Sequence, residues 1–155
     1  MTYKLAVESD IPLLLEMTAE FYLIEHLPHN PQILTSALKK LFENPVYGKL
    51  WLILIDDEPA GYILVTFGYS LEYFGIDALV DEFYIREKFR GKGIGKQTLK
   101  YVEQELAGLG IKAFHLEVDR QNVYALEVYR KFGFADHDRY LMTKWISDPR
   151  DGAVE

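Results

Sequence analysis

The segment R-G-K-G-I-G, Arg90–Gly95, constrains this chain more than any other because of what stands on either side of it. Before it comes V-D-E-F-Y-I (Val80–Ile85), a β-branched and aromatic run with the character of a buried strand. After it comes K-Q-T-L-K-Y-V-E-Q-E-L (Lys96–Leu106), which reads as an amphipathic helix. A glycine-rich turn between strand and helix lines up unpaired backbone N–H groups at the positive end of the helix. Such a turn is a cradle for phosphate or pyrophosphate. Gly91, Gly93 and Gly95 let the backbone take positive φ and let a ligand approach with no Cβ in the way. Arg90, Lys92 and Lys96 add mobile positive charge, and Ile94 starts the apolar face of the helix. The spacing G-x-x-x-x-G-K-[ST] is absent, and the third glycine falls one residue too early for G-x-G-x-x-G. A P-loop nucleotide and a dinucleotide are thereby disfavoured.

The elements around the loop follow from local signals. Tyr3–Val7 alternates as a short strand, and Ser9 or Asp10 offers an N-cap to a helix with Pro12 in its first turn. That helix carries Leu13, Leu14, Met17, Phe21 and Ile24. Asn30-Pro31 starts a second helix by the same logic, running to about Glu43. Lys49–Ile55 and Ala60–Phe67 read as a hairpin about a turn at Asp56–Pro59, and Asp77–Ile85 is the strand that enters the loop. The helix after the loop places Ile94, Leu99, Val102, Leu106 and Leu109 on one face and ends at Gly110. A strand at Lys112–Val118, a helix from Asn122 to Phe132 and a last strand at His137–Ile146 complete the order. The expected fold is an α/β (α+β) mixed sheet with helices on both faces, in one domain over residues 1–155 with a flexible tail at 147–155.

Composition narrows the chemistry. Cysteine is absent, so the chain has no disulfide, no thiolate metal ligand and no cysteine nucleophile, and a cytoplasmic location is the default expectation. No apolar run has the length of a membrane span, and the N-terminus lacks the blocks of a signal peptide. The net charge of −7 argues against nucleic acid. It suits a cationic substrate, although solubility alone also explains it. His26 and His29, after the first helix, have no cysteine and no clear carboxylate partner, so no metal site is expected. His115 and His137 fall in strands. The aromatic density of Tyr62–Tyr84 could frame a pocket for a cationic amine, or simply reflect strand propensity and core.

A second motif lies in L-E-V-D-R-Q-N-V-Y-A-L-E-V-Y-R-K-F-G-F, Leu116–Phe134. Asn122, Ala125 and Tyr129 are spaced to share one helical face, as a flat ligand would require and as packing on the sheet would also allow. Together the two segments resemble the GCN5-related N-acetyltransferase (GNAT) superfamily. Its acetyl-CoA loop, R/Q-x-x-G-x-G/A, is matched by Arg90, Gly93 and Gly95. Its second motif, N-x-x-A-x-x-x-Y-x-x-x-G-F, is matched by Asn122, Ala125, Tyr129, Gly133 and Phe134.

The resemblance implies a mostly antiparallel sheet splayed between its fourth and fifth strands, and an enzyme that transfers acetyl from acetyl-CoA to a primary amine. The backbone N–H groups of Lys92–Lys96 would hold the pyrophosphate. The main chain of Phe83, Tyr84 and Ile85 would run beside the pantetheine arm, Asn122 would bond that arm, and Tyr129 would sit by the thioester sulfur. With no cysteine to form an acyl-enzyme, the amine would attack directly in a ternary complex. The developing oxyanion would meet a backbone N–H at Phe83 or Ile85. Tyr129 would reprotonate the departing thiolate or hydrogen-bond to it; full transfer from a phenol is uphill by about 2 kcal/mol. Only about one alkylamine in a thousand is neutral at pH 7, so a base is useful. Its identity stays open among Asp81, Glu82, Glu117 and ordered water. Alternation puts Asp81 on the face of Phe83 and Ile85, and Glu82 on that of Tyr84. A small-molecule acceptor is preferred to a protein N-terminus or lysine. A CoA-binding module without catalysis and an ATP- or GTP-binding protein are the rival readings. Pairing of two copies is a further expectation, since members of this superfamily often pair through C-terminal strands.

Overall fold

The computed structural model describes residues 1–148, which belong to two compact units, Met1–Asp119 and Arg120–Glu155. The first unit holds a five-stranded sheet with the strands in chain order. They are β1 (Thr2–Leu5), β2 (Gly48–Ile55), β3 (Glu58–Ser70), β4 (Gly75–Ile85) and β5 (Phe114–Leu116). The first three pairings are antiparallel and β4–β5 is parallel, so the sheet is mixed and mostly antiparallel, as expected. Its helices are α1 (Ile11–Glu25), α2 (Pro31–Glu43) and α3 (Ile94–Gly108). No helix among the described residues is long and apolar enough to cross a membrane.

Strand alternation divides the core between two faces. On one face Ile11, Leu14 and Met17 of α1 and Leu38 of α2 pack with Leu50, Leu52, Tyr62 and Tyr84. On the other, Ile94 of α3 joins Ile53, Ala60 and Phe89, with Phe83 and Ile85 against them. Leu14, Met17, Tyr62, Ile63 and Val102 are fully buried, each such side chain contributing about 1.5–3 kcal/mol by transfer from water.

Helix starts follow the expected caps with one difference. Asn30 Oδ1 accepts the N–H groups of Gln32 and Ile33 at 3.0 and 3.1 Å and opens α2 at Pro31. Asp10 turns backward instead. Its carboxylate accepts the Val7 N–H at 2.9 Å and Lys4 Nζ at 2.6 Å, closing a 3-10 turn at Glu8–Asp10 ahead of α1. Leu109 lies beyond the last turn of α3 and is half exposed, so it leaves the apolar face to Ile94, Leu99, Val102 and Leu106. Gly110 follows at φ +76°, a conformation that favours glycine.

β4 carries a bulge, and its pairing with β5 ends early. Val80 pairs with Val65 and Glu82 with Leu64, so Asp81 is the extra residue of a β-bulge. Glu82 and Tyr84 share the α1 face as alternation predicts, whereas the bulge puts Val80 with Val65 on the opposite face. The parallel pairing with β5 covers only Ala78–Val80, against Phe114–Leu116. From Asp81 to Ile85, β4 has no partner on that side among the described residues: the expected splay. β5 is correspondingly shorter than the predicted strand at Lys112–Val118. The β3–β4 hairpin is longer than predicted, because Gly68–Ser70 pair with Gly75–Asp77 and only residues 71–74 turn.

In the second unit α4 (Val123–Phe132) ends at Gly133, φ +110°. The strand predicted at His137–Ile146 is not formed. A strand exists by pairing, and within this unit no other extended segment is present among the described residues to pair with it. Its apolar residues also fall in adjacent runs, Tyr140–Met142 and Trp145–Ile146, which select no single face and stay exposed. The tail predicted at 147–155 lies outside the described residues, apart from Ser147 and Asp148.

Candidate active site

The glycine loop is built as a strand-to-helix turn. After β4 a 3-10 turn at Glu87–Phe89 leads to Arg90, and Gly91 and Gly93 both stand at φ +75°. Gly93 is the N-cap of α3, and no side-chain hydrogen bond caps that end, which leaves the positive end of the helix dipole without a capping side chain. An added Cβ at Gly95 would meet only Ile85 Cδ1 at 3.8 Å and the Phe83 ring at 3.9 Å, ordinary contact distances. The fold therefore does not demand glycine there. The cations are less mobile than expected. Arg90 Nε donates to the Ile85 carbonyl at 2.8 Å with its guanidinium over the Tyr84 ring, and Lys92 Nζ donates to the Lys88 carbonyl at 3.2 Å. These bonds fix the loop to the end of β4.

On the α1 face of β4, Glu82 is half-buried and receives both its hydrogen bonds from phenols. Tyr22 Oη of α1 donates to Oε1, and Tyr62 Oη of β3 donates to Oε2 at 2.7 Å. Burial pushes the Glu82 carboxyl above its ordinary value and the neighbouring Asp81 charge adds to this, against the opposing hydrogen bonds from Tyr22 and Tyr62. Burial likewise raises the Tyr22 and Tyr62 phenols, reinforced by the Glu82 charge, so both remain donors. Asp81 is also raised by desolvation, although its residue surface is exposed at the bulge and water reaches it. Glu117, one residue beyond β5, is exposed.

Next along β4, Tyr84 Oη donates to Glu20 Oε2 at 2.9 Å, and Arg86 donates to Glu20 at 2.8 and 3.1 Å and to Glu16. An open depression of about 570 Å³ is lined by Glu16, Glu20, Tyr84, Arg86, Glu87 and Lys88, and the carboxylates of Glu16 and Glu20 in its wall are already paired with Arg86. His29 Nε2 stands 3.2 Å from Thr18 Oγ1, with its ring edge-on to Tyr22. His26 caps α1 in the left-handed conformation, His115 Nε2 lies 3.1 Å from Asp77 Oδ2, and His137 is exposed outside any strand. No group of three His, Asp or Glu side chains among the described residues has the arrangement of a metal site.

In the second unit, Asn122 caps α4: its Oδ1 accepts the Ala125 N–H at 3.1 Å. Ala125 and Tyr129 are half-buried, and burial raises the Tyr129 phenol, which lies edge-on to Phe134 at 5.9 Å.

Tyr22, Glu20 and Arg86 were not singled out from the sequence, and Tyr62 only as part of the aromatic density at Tyr62–Tyr84. That density was the one available signal. Its polar content, the Tyr62 phenol aimed at Glu82, depends on strand register, and the Tyr22 phenol comes from α1.

Residues 12–134 match the acetyltransferase (GNAT) family. The chain belongs to this family. It is an acyl-CoA-dependent N-acetyltransferase with acetyl-CoA as the acetyl donor. Thialysine N-ε-acetyltransferase of Mus musculus is 30% identical over 141 residues, which cover 84% of this chain and 82% of that protein. The spermine/spermidine N(1)-acetyltransferase of Bacillus subtilis is 41% identical over 56 residues, only 36% of this chain and 37% of that protein. Among solved structures, an integron cassette protein from the mobile metagenome of Cole Harbour Salt Marsh superposes with a TM-score of 0.83 at 33% identity, covering 95% of this chain and 91% of that one. A predicted acetyltransferase with acetyl-CoA from Clostridium acetobutylicum has a TM-score of 0.77 at 21% identity over 92% of this chain and 95% of that one, a likeness of fold.

Proposed function

We propose that this GNAT acetyltransferase acetylates a primary amine of a small, cationic molecule, of the polyamine or thialysine kind named for its relatives. The observation that carries this reading is Glu82: a desolvated carboxylate held by the phenols of Tyr22 and Tyr62, with the Tyr84 ring tilted against that of Tyr62, on the segment of β4 that β5 leaves unpaired. A carboxylate among aromatic faces suits an alkylammonium by charge and by cation–π attraction. Asp81 and Glu82 together hold the acceptor ammonium and take its proton. Glu117, exposed beyond β5, is the less supported base.

On the donor side, the N–H groups of Lys92–Lys96 hold the pyrophosphate, and the main chain of Phe83–Ile85 lies along the pantetheine arm. A backbone N–H at Phe83 or Ile85 meets the developing oxyanion. From the second motif, Asn122 is the residue for the pantetheine arm, Ala125 leaves room beside it, and Tyr129 hydrogen-bonds the departing sulfur. The neutral amine attacks the thioester carbonyl directly: a C–N bond forms, the C–S bond breaks, and the amine proton leaves through the carboxylates. We read the whole of 1–155 as one domain, because the family match runs across the boundary between the two units. The cysteine-free composition supports the cytoplasm, and pairing of two copies remains part of the proposal.

Release of CoA thiol from acetyl-CoA, measured with spermidine, thialysine, free lysine and a peptide N-terminus, tests the reading. Turnover is expected with the first two. Turnover only with the peptide would move the acceptor to proteins, and CoA binding with no turnover on any amine would leave a binding module.

A further inference from the structure

The reading of Glu82 as an acceptor-side carboxylate leaves open how an anion in a half-buried aromatic setting is kept charged and aimed. Two phenols from different elements meet it, Tyr22 from α1 on Oε1 and Tyr62 from β3 on Oε2. A carboxylate rotating about its last bond has few fixed orientations, and one donor on each oxygen selects a single plane. Each oxygen keeps a second lone-pair direction for an incoming N–H. Tyr62 is wholly buried, and Tyr22 is backed by the His29 ring, so neither donor is free to drift. Thr18 fixes the His29 placement: its Oγ1 lies 3.1 Å from the Leu15 carbonyl and 3.2 Å from His29 Nε2, and the His29 ring stands edge-on to Tyr22.

We propose, on the proposed acceptor reading, that Tyr22 and Tyr62 are positioning residues that hold Glu82 as the fixed anionic seat of the acceptor ammonium. Neither phenol touches the reacting atoms in this scheme. They act through Glu82, and they make α1 a wall of the acceptor site. Asp81, the exposed bulge residue without a β3 partner, is then the carboxylate left to take the proton. The titratable groups that face Glu82 are Tyr22 from α1, Tyr62 from β3 and Asp81 from β4 itself, with His29 behind Tyr22.

Tyr22→Phe and Tyr62→Phe each keep the ring and remove one donor, and Glu82→Gln removes the charge. Spermidine is the acceptor probe, with acetyl-CoA saturating. The KM for spermidine is expected to rise about tenfold in either Phe variant, the effect of losing one hydrogen bond to a charged group, with kcat and the KM for acetyl-CoA changed much less. Carbon-13 NMR titration of the Glu82 carboxyl, assigned by its loss in Glu82→Gln, reads the ionisation without substrate. Removing a donor to the charged form should move that titration to higher pH. A packing role alone would lower the melting temperature without moving either readout. Unchanged spermidine KM, or an unchanged Glu82 titration, in both Phe variants would overturn the clamp. If Tyr62→Phe fails to fold, Tyr22→Phe alone decides. Failure of the acceptor reading looks different: wild type then does not turn over spermidine, or Glu82→Gln leaves its KM as in wild type.

Discussion

At the scale of single residues, the two glycines at the mouth of α3 differ in what the fold requires of them. Gly93 stands at φ +75°, so Gly93→Ala should cost about 1 kcal/mol of stability whether or not a ligand is present. Gly95 is helical, with 3.8 Å of clearance around an added Cβ. Gly95→Ala should therefore keep or slightly raise the melting temperature, since alanine is the better helix former by about 1 kcal/mol. The acetyl-CoA loop of the family takes glycine or alanine at this position, so acetyl-CoA affinity should change little in Gly95→Ala, whereas Gly93→Asp, which puts an anion in the cradle, should lower it at least about tenfold, read by calorimetric titration. A Gly93→Asp variant binding acetyl-CoA as tightly as wild type would remove the loop from the donor site. Tyr129→Phe belongs to the same scale: kcat should fall about a hundredfold with the KM for acetyl-CoA little changed, and an equal kcat would end the proposed role at the sulfur. The loop was legible in the sequence because a strand, a glycine turn and a helix are all local signals. The Glu82 clamp was not. Its partners lie 60 and 20 positions away, and their meeting depends on the register of β3 against β4 and on a bulge that no composition announces.

At the scale of elements, α1 is fastened to β4 by polar contacts at two levels, Tyr22 to Glu82 and Glu20 to Tyr84 and Arg86. Helix α1 was readable from its apolar spacing and from Pro12, but nothing local showed which strand its carboxylates would meet. Burial alone would raise the Glu20 carboxyl, yet hydrogen bonds from Arg86 and Tyr84 and the Arg86 charge outweigh it and hold the group below its ordinary value of 4.5. A carboxyl depressed in the folded state contributes stability above its unfolded value and loses it as pH falls through the folded one. Glu20→Gln should thus lower the melting temperature at pH 7 by roughly 2–4 °C, for about 1 kcal/mol, the side chain being about a third exposed. As pH falls below 4.5 and through the lowered folded value, the gap to wild type should narrow, because Glu20 then protonates and no longer pairs. A gap that is constant from pH 7 to pH 3 would show that packing, not the ion pair, joins α1 to β4. The predicted strand at His137–Ile146 failed for the converse reason: β-branched and aromatic content suggests extension, but only a pairing partner makes a strand.

For the molecule as a whole, the family match over residues 12–134 runs through both compact units, and the proposed donor residues come from both. A single folding unit has a thermodynamic signature. Far- and near-ultraviolet circular dichroism should report one coincident melting transition, with calorimetric and van't Hoff enthalpies in agreement. Two separated transitions would make residues after Asp119 a domain of their own. Acetyl-CoA sharpens the test, because a ligand that binds only the folded state stabilises it by mass action, about 2.7 kcal/mol at a hundred times its Kd. In a chain of this length that corresponds to a rise of roughly 5–10 °C. The rise should be the same for both optical signals, should be reduced in Gly93→Asp, and should be absent with ATP and magnesium, whose loop spacing this chain lacks. A shift with ATP and none with acetyl-CoA would contradict the donor assignment for the chain as a whole. If the acetyl-CoA shift appears in only one of two resolved transitions, the single-domain reading fails while the donor loop stands.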